Sequence, residues 1–199
     1  MGTNHGVRPR RGRPRDPDAE PRIRRYAVQL LLERGFDGMT VDDVAEAAGV
    51  GKATIYRRWA SKDHLANDAL ADLFDIEIPD ADTGSIAGDL RQVYSDALAF
   101  VNSEEGLALI RLAVSEANRD ERSAAIYRGF LERRIQLTEA ALDRARARGE
   151  PVRDNVDTTL MVQWLAGVFV IRALTGESMP TPDDADRLLK FTMRCILEE

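Results

Sequence analysis

Residues 40–58 read Thr40-Val41-Asp42-Asp43-Val44-Ala45-Glu46-Ala47-Ala48-Gly49-Val50-Gly51-Lys52-Ala53-Thr54-Ile55-Tyr56-Arg57-Arg58, and this stretch decides the fold. Thr40 followed three residues on by Asp43 is a helix start of the capping-box kind, with a shorter acid than usual in the last place. Val41, Val44, Ala45 and Ala48 then fall on one face at helical spacing. Gly49-Val50-Gly51 breaks that pattern, and a second short helix runs from Lys52 to Arg58. Two helices across a glycine turn, the second rich in Lys, Thr, Tyr and Arg, form the helix-turn-helix arrangement. The first helix braces the second, which must be short, rigid and polar outside to enter a major groove about 12 Å wide. Ala45, Val50 and Ile55 have the spacing to pack the pair together. Lys52, Thr54, Tyr56, Arg57 and Arg58 then project outward.

The flanks extend the helical pattern. On the N-terminal side, Asp18 is placed to cap a first helix, with Pro21 in the first turn where its missing N–H costs nothing. Ile23, Ala27, Leu30 and Leu31 follow at helical spacing, Gly35 stops the helix, and Phe36 is a core anchor. On the other side, Ser61 caps a fourth helix carrying Leu65, Ala69, Leu70, Leu73 and Phe74. Residues 77–84 read as a linker. Five helical segments follow, at 86–102, 104–118, 121–148, 155–175 and 183–197. No stretch alternates as a strand would, and no internal repeat is present. The expected class is all-α. Three units are expected: a basic arm at 1–17, a helix-turn-helix DNA-binding domain at 18–64, and a helical ligand-binding and dimerisation body at 65–199.

A longer pattern is more specific than the hairpin. Glu33-Arg34-Gly35-Phe36, Met39-Thr40-Val41, Val44-Ala45, Ala48-Gly49-Val50-Gly51-Lys52-Ala53-Thr54-Ile55-Tyr56-Arg57-Arg58-Trp59 and Ser61-Lys62 succeed one another in order. Over residues 20–70 this resembles the DNA-binding domain of the TetR family of bacterial regulators. The body fits that family in size and helical class and carries no family-wide motif. The chain departs from the family pattern at three places. Gly51 stands where Ser or Thr is common, so a hydroxyl at the cap of the recognition helix is lost. Ala53 stands where Gly is frequent, which stiffens the helix. Trp59 replaces a Phe and reads as a buried plug beneath the recognition helix.

The resemblance implies roles for particular side chains. Thr40, Thr54, Tyr56 and Lys62 are expected to meet phosphates, with Gly51 at the helix cap in the same DNA-facing set. Lys52 and Arg57 are candidates for base edges, because Lys and Arg favour guanine acceptors; Arg58 could serve either way. The resemblance also implies a homodimer on a pseudo-palindromic operator in double-stranded DNA, held by the last two helices packing against their copies. The function it implies is a transcriptional regulator, read as a repressor that a small molecule releases. The alternative is a constitutive DNA-binder without an effector.

Charge and composition agree with that reading. The chain has 199 residues and a net charge of −6. Residues 1–65 carry 13 Lys/Arg and 9 Asp/Glu, whereas residues 66–199 carry 15 and 25. A positive end can face phosphate while an acidic body faces away. The one cysteine, Cys195, can form no internal disulfide, which suits a reducing cytoplasm. The longest apolar run, Trp164 to Ile171, is eight residues, short of the roughly 20 of a membrane span, so no membrane partner is expected. No phosphate-cradling glycine loop, nucleophile elbow, zinc motif or His/Cys constellation is present, so neither an enzyme, a metal nor a cofactor is expected.

The arm holds Arg8, Arg10, Arg11, Arg13 and Arg15 without an acid. Arg11-Gly12-Arg13-Pro14 resembles an AT-hook core, in which Gly permits close approach, Pro extends the chain, and Arg11 and Arg13 reach into a narrow A/T-rich minor groove. A basic tail that only releases counterions is the competing reading. In the body, residues 155–175 carry apolar side chains on more than one face, so burial on several sides is expected, with Ala166 and Gly167 allowing close helix approach. Tyr94, Phe100, Tyr127, Phe130, Gln163 and Trp164 are candidates for a ligand pocket, as aromatic or polar groups on apolar helices. The ligand expected there is small and hydrophobic, aromatic or cationic.

Overall fold

The computed structural model describes residues 16–116 and 121–197. The described chain is built of α1 (Ala19–Gly38), α2 (Val41–Ala48), α3 (Lys52–Tyr56), α4 (Lys62–Glu77), α5 (Ile86–Val101), α6 (Glu104–Glu116), α7 (Glu121–Ala147), α8 (Thr158–Thr175) and α9 (Ala185–Ile196), the last preceded by a single 3-10 turn. Among the described residues no strand appears beyond one isolated bridge, Val152 to Leu197. The all-α class expected from the sequence is what the chain adopts.

The predicted helix ends hold where local chemistry sets them. Thr40 accepts from the Asp43 N–H and Ser61 from the His64 N–H, both at 3.1 Å. Gly35 leaves the helical region at φ 73, ψ 174, and one further turn carries α1 to Gly38. Asp18 differs from expectation. It stands next to α1, but its φ of −89 and ψ of 0 are not the extended cap backbone, so its side chain accepts nothing from the first turn. Its N–H instead donates to Asp16 Oδ1 at 3.0 Å.

The core has two parts. The first joins α1 to α4 around Ile23, Leu31, Val44, Ile55, Trp59 and Leu65, and reaches Phe100 and Leu109 of the body. It runs across the expected boundary at 64/65, because α4 lies along α1 through Leu65, Ala66, Ala69 and Leu70. The second joins α5, α7, α8 and α9 around Leu90, Leu98, Leu142, Leu189 and Ile196. The segment 77–84 is not a loose linker. Ile78 and Ala81 are buried, Arg144 grips the Asp80 carboxylate and the Ala81 carbonyl, and Thr83 donates to buried Asp89. Its polar sequence hid this, because the partners lie some 60 residues away on α7.

α8 is the second departure. Within one chain only Thr158 and Phe169 of this 18-residue helix are buried. Leu160, Val170, Ile171 and Leu174 are exposed, and so is Phe191 on α9. The burial expected on several sides is therefore not supplied by this chain alone. By length and composition α8 could also cross a membrane, which the eight-residue run of the sequence did not suggest.

Candidate nucleic-acid interface and body cavity

The turn between α2 and α3 depends on glycine once. Gly49 ends α2 at φ +65, and its N–H returns to the Ala45 and Glu46 carbonyls. A side chain there would meet no neighbour, so the requirement is the left-handed backbone rather than space. The chain re-enters a helix at Gly51, whose carbonyl accepts from Thr54 N–H at 2.8 Å. Gly51 offers no side-chain cap, as its lack of a hydroxyl dictates.

α3 is sided. Ile55 is 1% exposed and Trp59, just beyond the helix, 2%. Lys52, Ala53, Tyr56, Arg57 and Arg58 are exposed, Thr54 is half-buried, and Thr40 is exposed at the start of α2. Lys52 pairs with Asp42, and Arg58 lies 3.5 Å from Glu20; all four side chains are open to solvent, so both pairs are weak and replaceable. Arg57 makes no ion pair among the described residues. The arrangement is a short rigid helix with an apolar underside and an outer face of cations and hydroxyls.

The underside is fixed by a junction the sequence did not reveal. Trp59 Nε1 donates to Asp68 Oδ2 at 2.8 Å, and Arg24 Nε donates to the same oxygen at 2.8 Å. Arg24 also lies 3.6 Å from Asp72 and over the Trp59 ring. One carboxylate thus joins α1, the end of the recognition segment and α4. Partial burial pushes the Asp68 carboxyl up, but the bonds from Arg24 and Trp59 outweigh it and hold it below the usual carboxylate range. Arg24 and Asp68 are 44 residues apart, and nothing local marks either as a partner. Arg22 Nε reaches the Ala48 carbonyl at 3.3 Å, tying α1 to the end of α2.

Lys62 is placed differently from a free phosphate contact. Its ammonium donates to the Phe36 carbonyl at 2.8 Å and sits over the Phe36 ring at 4.2 Å. The bend at Gly35 brings that carbonyl to the start of α4, so Lys62 serves as an internal brace. Arg11 and Arg13 lie outside the described residues. His64 is exposed.

Behind this domain, α5, α6, α7 and α8 and the end of α4 line a half-open cavity of about 450 Å³, in the range of small-molecule sites. Tyr94, Phe100, Tyr127 and Phe130 line it, together with Phe74 of α4 and Ile78 at the C-terminal cap of that helix. Phe74 stacks on Phe130 at 3.7 Å and meets Phe100 edge-on at 5.5 Å. Tyr94 shares a hydrogen bond of 2.8 Å with Thr192, and burial pushes its phenol up to about 12, so it stays neutral.

Gln163 and Trp164 do not line this cavity. Met161, Val162, Leu165, Ala166, Phe169, Val170 and Leu174 carry the facing stripe of α8, and residues 163 and 164 lie off that stripe. Gln163 is exposed, and Trp164 stacks on Phe191 at 4.7 Å. The sequence also missed Phe74, Arg134 and Thr138 on the wall. Among the described residues Arg134 is the one charged side chain lining it, so a cationic ligand would meet repulsion there.

Comparison with known proteins agrees with this geometry. Residues 23–69 match the family described as bacterial regulatory proteins, tetR family, and residues 80–191 match the tetracyclin repressor-like, C-terminal domain. The chain is 35% identical over 173 residues to the uncharacterized HTH-type transcriptional regulator YdeS of Bacillus subtilis strain 168, covering 85% of this chain and 86% of that one. It is 33% identical over 161 residues to the HTH-type transcriptional regulator AqdR of Rhodococcus erythropolis, covering 80% and 77%. Among solved structures, the TetR family transcription regulator SCO0332 superposes with a TM-score of 0.70 at 24% identity, covering 91% of this chain and all of that one.

Proposed function

Because this chain belongs to the TetR family, and is therefore a DNA-binding transcriptional regulator rather than an enzyme, we propose that it is a cytoplasmic homodimeric repressor that leaves its operator when a small apolar molecule fills the body cavity. The observation that carries the DNA-binding half is the sidedness of α3, with Ile55 and Trp59 inward and Lys52, Tyr56, Arg57 and Arg58 outward. Lys52 and Arg57 read base edges. Thr40, Thr54 and Tyr56 donate to phosphates, and Arg58 adds a further cation. The arm at 1–17 extends the contact through Arg11 and Arg13.

The dimer is made by the exposed apolar faces of α8 and α9. Leu160, Ile171, Leu174 and Phe191 are between 52% and 64% exposed in one chain, and such surface marks a partner. A second copy is favoured over a membrane because α8 already rests on α6 and α7 through its other face. A C2 pair would present two recognition helices to half-sites about one helical turn apart. The release half rests on α4. This helix packs along α1 at one end and lends Phe74 and Ile78 to the cavity at the other. A ligand that favours the DNA-incompetent arrangement of α4 shifts the population toward it, and equal affinity for both arrangements would shift nothing.

The test is footprinting on DNA flanking the protein's own gene, followed by operator titration with and without ligand. A coupling of about 1–3 kcal/mol weakens operator binding about 5- to 150-fold, and ligand binding must weaken equally when operator is present. A ligand that occupies the cavity and leaves operator affinity unchanged is not the effector. If no cavity ligand changes operator affinity, the release reading falls and a constitutive DNA-binder remains.

A further inference from the structure

Arg134 is the only buried basic side chain among the described residues, at 9% exposure, and it stands on the cavity wall. A guanidinium stays protonated and carries five N–H donors. Burying one without an anion is costly. One donor is used, on the Ile78 carbonyl at 2.8 Å. No carboxylate among the described residues lies within 4.0 Å of it. The two acids whose charge reaches it, Asp75 and Asp80, are bound to other arginines. Arg133 holds Asp75 at 3.3 Å, and Arg144 grips Asp80 with two bonds of 3.0 and 2.9 Å. The rest of the wall is almost wholly apolar. The Arg134 side chain lines both this apolar chamber and a second, much smaller cavity beside Asp80 and Asp89, with donors left over after its bond to Ile78.

We propose that Arg134 anchors an anionic head group, and that the effector is an apolar molecule bearing a single oxyanion such as a carboxylate. Its body lies among Phe100, Leu109, Phe130 and Leu165. This rests on the reading of the cavity as the effector site and adds the ligand's chemical class and its point of attachment. It also supplies a route to the DNA-binding domain. Ile78 caps the C-terminal end of α4, so Arg134 holds the point where the chain leaves that helix. An oxyanion on the free donors draws the guanidinium toward the cavity and so strains its one bond to the Ile78 carbonyl. Head-group binding therefore loosens the end of the helix that links cavity and DNA-binding domain, while the ligand body displaces Phe74 one turn earlier.

The test uses a matched fluorescent pair on the full chain: anilinonaphthalene sulfonate, an anion, and N-phenyl-naphthylamine, its neutral counterpart. Ala97→Trp, which fills the cavity, should abolish binding of both and so locate them. Arg134→Gln should weaken the sulfonate about 10- to 100-fold and the neutral probe by less than about twofold, with Arg134→Lys restoring most of the loss. On the unmodified protein, decanoate should displace the neutral probe far better than decanol, which keeps the result readable if Arg134→Gln does not fold. Equal displacement by the two, or equal effects of Arg134→Gln on both probes while the neutral one still binds in the cavity, overturns the proposal and leaves the cavity reading standing. If neither probe binds the unmodified chain, both fall together.

Discussion

Removing the Asp68 carboxylate should loosen the recognition helix from beneath. Asp68→Ala deletes the acceptor of both Trp59 Nε1 and Arg24 Nε. Trp59 is 2% exposed, so its N–H is left buried and unpaired, at a cost of about 1–3 kcal/mol. The ion pair adds less. The Asp68 side chain is 39% exposed, so solvent screening limits the Arg24 contribution to about 0–1 kcal/mol. Together the expected loss is about 2 kcal/mol. The assay is urea unfolding followed by far-ultraviolet circular dichroism at fixed protein concentration, with the Trp59→Phe background as the second arm of a double-mutant cycle. On that background no N–H remains to orphan, so Asp68→Ala should cost about 1 kcal/mol less. The pH dependence has a definite sign. The carboxyl is held below its usual range in the folded chain. Its stabilisation is therefore complete above the unfolded value, about 3.9, and is lost as pH falls through the folded one. The gap between wild type and Asp68→Ala should narrow below about pH 4. Operator affinity should fall with the same substitution, because Asp68 holds the recognition segment from beneath. A stability change within about 0.5 kcal/mol of zero, or no coupling to Trp59→Phe, would refute the junction.

Three further outcomes are expected. The pair Lys52→Ala/Arg57→Ala should abolish specific operator binding in gel-shift titration, each missing base interaction costing about 1–3 kcal/mol, whereas Asp42→Asn should strengthen binding by freeing Lys52 and removing a negative charge near phosphate; unchanged affinity for the double variant sinks the recognition helix. Deleting residues 1–15 should flatten the salt dependence by about 0.9 log units for each phosphate no longer neutralised, and Arg11→Ala/Arg13→Ala should relax a preference for A/T flanks; equal weakening on A/T-rich and G/C-rich flanks leaves only a nonspecific tail. Leu160→Glu/Ile171→Glu should give monomers in sedimentation velocity with little change in circular dichroism, because both side chains are exposed in one chain and neither lines the cavity; a persistent dimer places the interface elsewhere.

What is local in chain distance was legible in the residues alone. Helical spacing, the Thr40 and Ser61 caps and the glycine breaks marked the helix-turn-helix within a residue or two, because each signal acts over one or two turns. The same locality defined the outward set on α3, since a five-residue helix fixes which side chains oppose Ile55. The tertiary structure decided what depends on contacts between distant residues. Asp68 joined to Arg24 and Trp59, Lys62 turned onto Phe36, and the segment 77–84 pinned by α7 all involve ordinary charged or polar residues whose partners periodicity cannot name. The cavity is the clearest case. Tyr94, Phe100, Tyr127 and Phe130 were legible as aromatics on apolar helices, but the rotation of α8 about its own axis excluded Gln163 and Trp164, and an arginine that looks like a surface residue in the sequence became the one buried positive charge among the described residues. Rotation and burial are set by how all the helices pack at once, and no single segment carries that information.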